Sequence, residues 1–156
     1  MTKPALNLTF LSHGTLESRD LERSYAFYTE FFGLEVIRTS PLSLMIRLGG
    51  NHTYAVVLNK KSDAKMPFLF HNGLDVASDA EVDQAHATCV EQAEKWGLEK
   101  LSKPQVQHGT YSFYFWDADG NCWEILTNPT GGYSWLFERD DLEEGRGHLS
   151  KDYKRP

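Results

Sequence analysis

Apolar residues fall into two rhythms along this chain, and each rhythm occurs twice. Leu21, Tyr25, Tyr28 and Phe32 recur at i, i+4, i+7 and i+11, the stripe of an amphipathic helix. Val82, Ala85, Cys89, Ala93 and Trp96 repeat that stripe later on. Ser78-Asp79-Ala80-Glu81 reads as a capping box before the second helix, and Gly97 suits the position just after its last turn. Elsewhere the period is two. Leu6, Leu8 and Phe10 point one way while Asn7, Thr9, Leu11 and His13 point the other, and Tyr54, Val56 and Leu58 alternate further on. Asp117-Ala118-Asp119-Gly120-Asn121 is a turn between two strands.

The order of these elements is itself repeated. A first strand ends in Leu11-Ser12-His13, a helix leads to Gly33-Leu34-Glu35, and short strands follow on either side of Gly49-Gly50-Asn51. The second half opens on Phe68-Leu69-Phe70-His71, passes through a helix to Gly97-Leu98-Glu99, and ends in strands around Gly120-Asn121. Matching landmarks lie 58, 64 and 70 residues apart, the steady drift of two copies with modest insertions in the second. The expected fold is α+β: two βαβββ modules, about 6–60 and 67–128, forming a cup-shaped mixed β-sheet with the helices outside. Together they make one domain over 1–156, and residues 129–156 are a polar tail with an aromatic start. A lone module would expose sheet edges and half a core, so the edge and the tail both seek cover, and a homodimer is expected.

Composition narrows the function. The 156 residues are 40% hydrophobic, enough for a sizeable core, and the net charge is −6 with no dominating block of Lys or Arg. Nucleic acid and anionic membrane surfaces are therefore poor partners, and a small neutral or weakly acidic substrate is a better one. Cys89 and Cys122 form no CxxC pair, which points to a reducing cytoplasm. The start of the chain lacks the apolar core of a signal peptide, and no run approaches the ~18 apolar residues of a membrane span.

Three residues carry the candidate chemistry. His13 and His71 occupy matching places in the two modules, and Glu124 stands in the last strand among Trp123, Ile125 and Leu126. A carboxylate there costs several kcal/mol unless it is paired or bound to a cation. Two imidazoles and one carboxylate on a cup would form a facial triad with open positions, the arrangement of non-haem iron(II) oxygenases. Tyr114 and Glu124 are symmetric about Asp119, so they should face each other across the hairpin with Cβ atoms about 5 Å apart. His52 lies two residues before the repeat equivalent of Glu124, and period two points it into the same cup. His108 sits at the mouth of the strand carrying Tyr114, and Tyr54, Val56, Leu126 and Trp116 are expected to line the cup. The plainer readings are a core tyrosine for Tyr114 and loop-surface histidines for His52 and His108. His86 reads as a helix-surface histidine and His148 as a tail histidine.

Residues 6–128 resemble the vicinal-oxygen-chelate superfamily, which includes glyoxalase I, bleomycin- and fosfomycin-resistance proteins and type I extradiol dioxygenases. The general marks are Arg19-Asp20-Leu21-Glu22-Arg23-Ser24-Tyr25-Ala26-Phe27-Tyr28, Phe32-Gly33-Leu34-Glu35, and Asp117 to Ile125. Within that group the chain looks most like the extradiol dioxygenases. Their His, His, Glu ligand set is matched by His13, His71 and Glu124, and their acid–base histidine by His52 in Asn51-His52-Thr53. A further histidine and a Ser-Phe-Tyr strand, with the tyrosine ten residues before the glutamate, are matched by His108 and Ser112-Phe113-Tyr114. Many such dioxygenases carry four modules, and this chain has two. In glyoxalase-like isomerases a fourth ligand comes from the first module, at a place that falls here on Tyr54, give or take one residue.

The resemblance implies an iron(II) enzyme that cleaves a catechol-type ring with dioxygen, its partners being a small aromatic diol and dioxygen. It also implies catalytic roles for His52, His108 and Tyr114 and substrate contacts at Tyr54 and Trp116. The alternatives are a glyoxalase-like isomerase or lyase using Mn, Ni or Zn, and a resistance protein that binds an antibiotic without chemistry.

Overall fold

The computed structural model describes residues 5–6, 9–107, 109–128 and 132–138. The chain forms two compact units, Met1–Asp63 and Ala64–Pro156. In the first, β1 (His13–Ser18) leads into α1 (Leu21–Ala26), and β2 (Glu35–Ser40), β3 (Ser43–Arg47) and β4 (Thr53–Leu58) follow. In the second, β5 (Asn72–Val76), α2 (Asp79–Trp96), β6 (Gln105–Gln107), β7 (Thr110–Trp116) and β8 (Cys122–Thr127) come in the same order. Each unit has a four-stranded mixed sheet, ordered β1-β4-β3-β2 and β5-β8-β7-β6, with the first pair parallel and the others antiparallel. The twofold βαβββ repeat expected from the sequence is thus present. No helix among the described residues is long and apolar enough to cross a membrane.

The two helices begin alike and end differently. Asp20 caps α1 by accepting from the N–H groups of Glu22 and Arg23 at 3.0 and 3.2 Å, and Ser78 caps α2 by accepting from Glu81. Glu81 in turn accepts from Ala77 N–H at 2.8 Å, and Gly97 closes α2 at φ 68°. The expected first stripe is shifted. After one regular turn and a half the helix widens into a π turn at Phe27–Phe31, which adds a residue to the turn. Leu21 and Tyr28 are buried as expected, Ser24 and Phe27 are buried with them, and Tyr25 is 39% exposed. The Ser24 hydroxyl is satisfied against Ser18 at 2.7 Å.

Both first strands begin where the sequence reading ended them. His13 is the first residue of β1, and Phe68–Phe70 is a short 3-10 turn before His71, not a strand. The partner strand sets this limit: β1 pairs with β4 from His13 opposite Thr53, and β5 pairs with β8 from Asn72 opposite Trp123. Alternation then assigns the faces. Leu16, Leu44, Ile46 and Val56 are buried on one side of the first sheet, while His13, Thr15, Thr53 and Ala55 belong to the other. In the second sheet Phe113, Phe115, Trp123 and Ile125 lie on the α2 side, where the His86 ring meets Phe113 edge-on at 5.1 Å.

Gly14 gives this face assignment a test. It pairs with Tyr54, whose ring lies across it so closely that an added Cβ would stand 2.4 Å from a ring carbon. Gly14→Ala should therefore lower stability by about 1–3 kcal/mol, the usual cost of overpacking. Adding Tyr54→Ala should relieve most of that strain in a double-mutant cycle read by denaturant unfolding. Additive losses would show that Tyr54 does not cover Gly14.

Candidate functional site

The second unit builds its site on the face of β7 and β8 away from α2. Glu124 lies mid-strand and is only 5% exposed. Tyr114 is its direct cross-strand neighbour, and its hydroxyl donates to Glu124 Oε1 at 2.6 Å. The other carboxylate oxygen, Oε2, is 3.3 Å from His71 Nε2. His71 Nδ1 is 2.8 Å from the Phe68 carbonyl oxygen, which can only accept. A hydrogen therefore sits on Nδ1, which leaves Nε2 as the ring nitrogen that faces Glu124. A ring nitrogen and a buried carboxylate oxygen converging in this way suit a divalent cation.

The surroundings fix this pair. Burial, followed by the hydrogen bond to Glu124, pushes the Tyr114 phenol well above its ordinary value of 10.0, so it stays a hydrogen donor. Phe68 packs on Tyr114 with ring centroids 4.6 Å apart and on His71 at 5.7 Å. Trp116 continues the same face, and its indole N–H donates to the Met66 carbonyl at 2.8 Å. The hairpin turn is tied by Asp117, which accepts from the N–H groups of Asp119 and Asn121 at 2.9 and 3.0 Å and from the Trp123 indole at 3.0 Å. Burial, its largest influence, raises the Asp117 pKa against these bonds. Phe68 and Met66 act here through backbone carbonyls, so the sequence carried no side-chain signal for either role.

The first unit contributes less than expected. His13 is exposed at the start of β1, with Nδ1 2.7 Å from the Ser12 hydroxyl. His52 is exposed and meets Tyr54 edge-on at 5.1 Å. Tyr54 and Val56 lie on the Leu16 face, opposite to the His13 face, so the placing of His52, Tyr54 and Val56 beside His13 is corrected. The reason is a one-residue difference in register. His13 pairs with Thr53, which makes Ala55 and not Tyr54 the counterpart of Glu124, and Met45, paired with Ala55, the counterpart of Tyr114. Among the described residues no three His, Cys, Asp or Glu side chains form a group able to hold a metal ion. His108 lies outside the described residues.

Comparison with known proteins bears on the fold and the family. The family model for the Glyoxalase/Bleomycin resistance protein/Dioxygenase superfamily matches residues 11–125. No curated protein matches the sequence. Among solved structures the chain is similar to a hypothetical protein, SA1046, from S. aureus, at 26% identity and a TM-score of 0.62, covering 78% of this chain and 95% of that one. It is also similar to a possible glyoxalase from Bacillus cereus, at 22% identity and 0.61, covering 76% and 99%. A third is the fosfomycin resistance protein FosX from Listeria monocytogenes in complex with Mn(II) and sulfate, at 22% identity and 0.60, covering 84% and 99%. The last two likenesses concern the fold alone.

Tyr114→Phe isolates the phenol's contribution. Removing a donor from a buried carboxylate should cost about 2 kcal/mol near neutral pH. The raised phenol pKa means that wild-type stability from this group is complete below pH 10.0 and is lost as pH rises beyond it. The variant should lose that part of the alkaline fall. Urea melts at neutral and alkaline pH check both, and identical alkaline slopes in the two proteins would refute the assignment.

Proposed function

The chain belongs to the Glyoxalase/Bleomycin resistance protein/Dioxygenase superfamily, and from that premise we propose that it is an iron(II)-dependent extradiol dioxygenase acting on a catechol-type ring. The observation that carries this reading is the His71–Glu124–Tyr114 arrangement, in which one imidazole nitrogen and one buried carboxylate oxygen meet at 3.3 Å and a phenol holds the second oxygen. In the proposal His71 and Glu124 are two of the metal's ligands, and His13 is the third, on the strength of the sequence repeat. Ala55 at the repeat counterpart of Glu124 favours three protein ligands over four, because a methyl group cannot coordinate. When bound, iron(II) would supply the positive charge that favours loss of a diol proton and a place for dioxygen beside the substrate.

The chain's own residues have separate tasks in this reading. His71 is held in one tautomer by the Phe68 carbonyl, so its Nε2 needs no reorientation to bind a cation. Tyr114, remaining protonated, gives its one hydroxyl hydrogen to Glu124 and keeps it in place; it can serve a substrate oxygen only by turning that hydrogen away from the carboxylate. Phe68 and Trp116 offer aromatic surfaces beside these groups, which suits a flat ring. The placement of His52 lends no support to an acid–base role for it, and the reading rests on Tyr114 instead.

Two measurements test the proposal. Protein reconstituted with iron(II) without oxygen should hold about one iron per chain, and His71→Ala and Glu124→Ala should lose it while keeping the wild-type circular dichroism. Full occupancy in both variants would remove the ligand assignment. The iron protein should then consume one dioxygen per catecholic substrate and give a yellow ring-opened product. Background oxygen uptake across substituted catechols, with iron bound and an isomerisation running anaerobically, would replace the dioxygenase reading by the isomerase one.

A further inference from the structure

Lys100 is the one described non-glycine residue in the left-handed backbone region, at φ 53°. That region is disfavoured for an L side chain bearing a Cβ. Two anchors impose it. On one side the N–H of Glu99 donates to the Trp116 carbonyl and the N–H of Trp116 donates to the Glu99 carbonyl, both at 2.9 Å. On the other, the N–H of Ser102 donates to the Tyr114 carbonyl and the N–H of Tyr114 donates to the Ser102 hydroxyl, again at 2.9 Å. The segment 99–102 is thereby stitched along β7 with Lys100 between its two fastenings.

The result is a cation seated on the site's aromatic wall. Lys100 Nζ lies 5.1 Å from the centroid of the Trp116 ring. Trp116 shares its strand face with Tyr114, two residues away and hence about 7 Å along the strand. No carboxylate pairs with Lys100 among the described residues, and its neighbour Glu99 is taken by Lys65. A strained backbone position that holds a cation, without a carboxylate partner among the described residues, on an aromatic face beside the buried Glu124–Tyr114 pair is the kind of outlier that ligand binding explains.

We propose that Lys100 and Trp116 form an anion subsite, so that the substrate is an aromatic diol carrying a carboxylate at the end of the ring away from its two oxygens. The distance along β7 from Tyr114 to Trp116 is comparable to one substituted ring. The diol end then lies by His71, Glu124 and Tyr114, and the carboxylate by Lys100. The placing of the diol rests on the dioxygenase reading; the recognition of a carboxylate by Lys100 does not.

Calorimetry on the iron-loaded protein under nitrogen tests this with a dihydroxybenzoate and the matching dihydroxybenzamide. The carboxylate should bind about 10-fold more tightly. Lys100→Asn, which tolerates the left-handed backbone, should reduce the preference to below about 2-fold, and Lys100→Arg should keep it, with iron content unchanged in both. Equal binding of the two ligands by the wild type, no binding of the carboxylate, or a preference that survives Lys100→Asn would each overturn the subsite. Metal-free protein separates the two readings. Quenching of tryptophan fluorescence by benzoate in excess of benzamide should persist there and vanish in Lys100→Asn. Failure to bind iron while that difference remains would sink the metal site and leave the subsite standing.

Discussion

A carboxylate that has almost no contact with water governs the second unit. Glu124 is 5% exposed in a strand whose other members are Cys122, Trp123, Ile125, Leu126 and Thr127, four of them buried as well. An ionised group in such a place must be met by donors or by a cation, because isolated burial costs several kcal/mol. Tyr114 meets one oxygen and His71 stands before the other. Both depend on register. Moving β7 by one residue against β8 would turn Tyr114 to the α2 side and put Phe113 or Phe115 against the carboxylate. The bonds that Asp117 makes across the hairpin turn prevent that slip, so a buried acid in the turn supports a buried acid in the strand.

The sequence was most legible where local and long-range signals agree. The Asp-Gly-Asn turn and the alternation on either side of it identify the β7–β8 hairpin, and its symmetry about Asp119 correctly pairs Tyr114 with Glu124. The capping box and Gly97 likewise bound α2 at both ends. The first module was harder for a definite physical reason. Period two fixes which residues share a face, but the place where a strand begins is set by its partner. Because β1 begins at His13 opposite Thr53, a reading displaced by one residue sends His52, Tyr54 and Val56 to the wrong side. In α1 and the π turn after it the buried face runs through Leu21, Ser24 and Tyr28, spaced i, i+3 and i+7, so the polar Ser24 takes the inward place that an apolar count gives to Tyr25.

Other parts of the site leave no mark in a sequence read one side chain at a time. The Phe68 carbonyl sets the tautomer of His71, and the Met66 carbonyl holds the Trp116 indole. Any residue type could supply either group. The left-handed backbone of Lys100 is equally silent, because it follows from the fastenings of Glu99 and Ser102 to β7 and not from a glycine or asparagine at position 100. Side-chain patterns located the Tyr114–Glu124 pair, and backbone carbonyls orient His71 and Trp116 beside it.

The repeat is regular in backbone and unequal in chemistry. Each unit has the same strand order, and the pair Met45 and Ala55 occupies in the first sheet the register that Tyr114 and Glu124 occupy in the second. A thioether and a methyl group neither bind a hard cation nor hold a proton for a substrate. The first unit keeps only His13 among the groups in question, on an exposed strand end. With Ala55 in one and Glu124 in the other, the acid and the phenol that steadies it come from a single hairpin. Their relative position is then set by the bonds of one turn, Asp117 to Asn121.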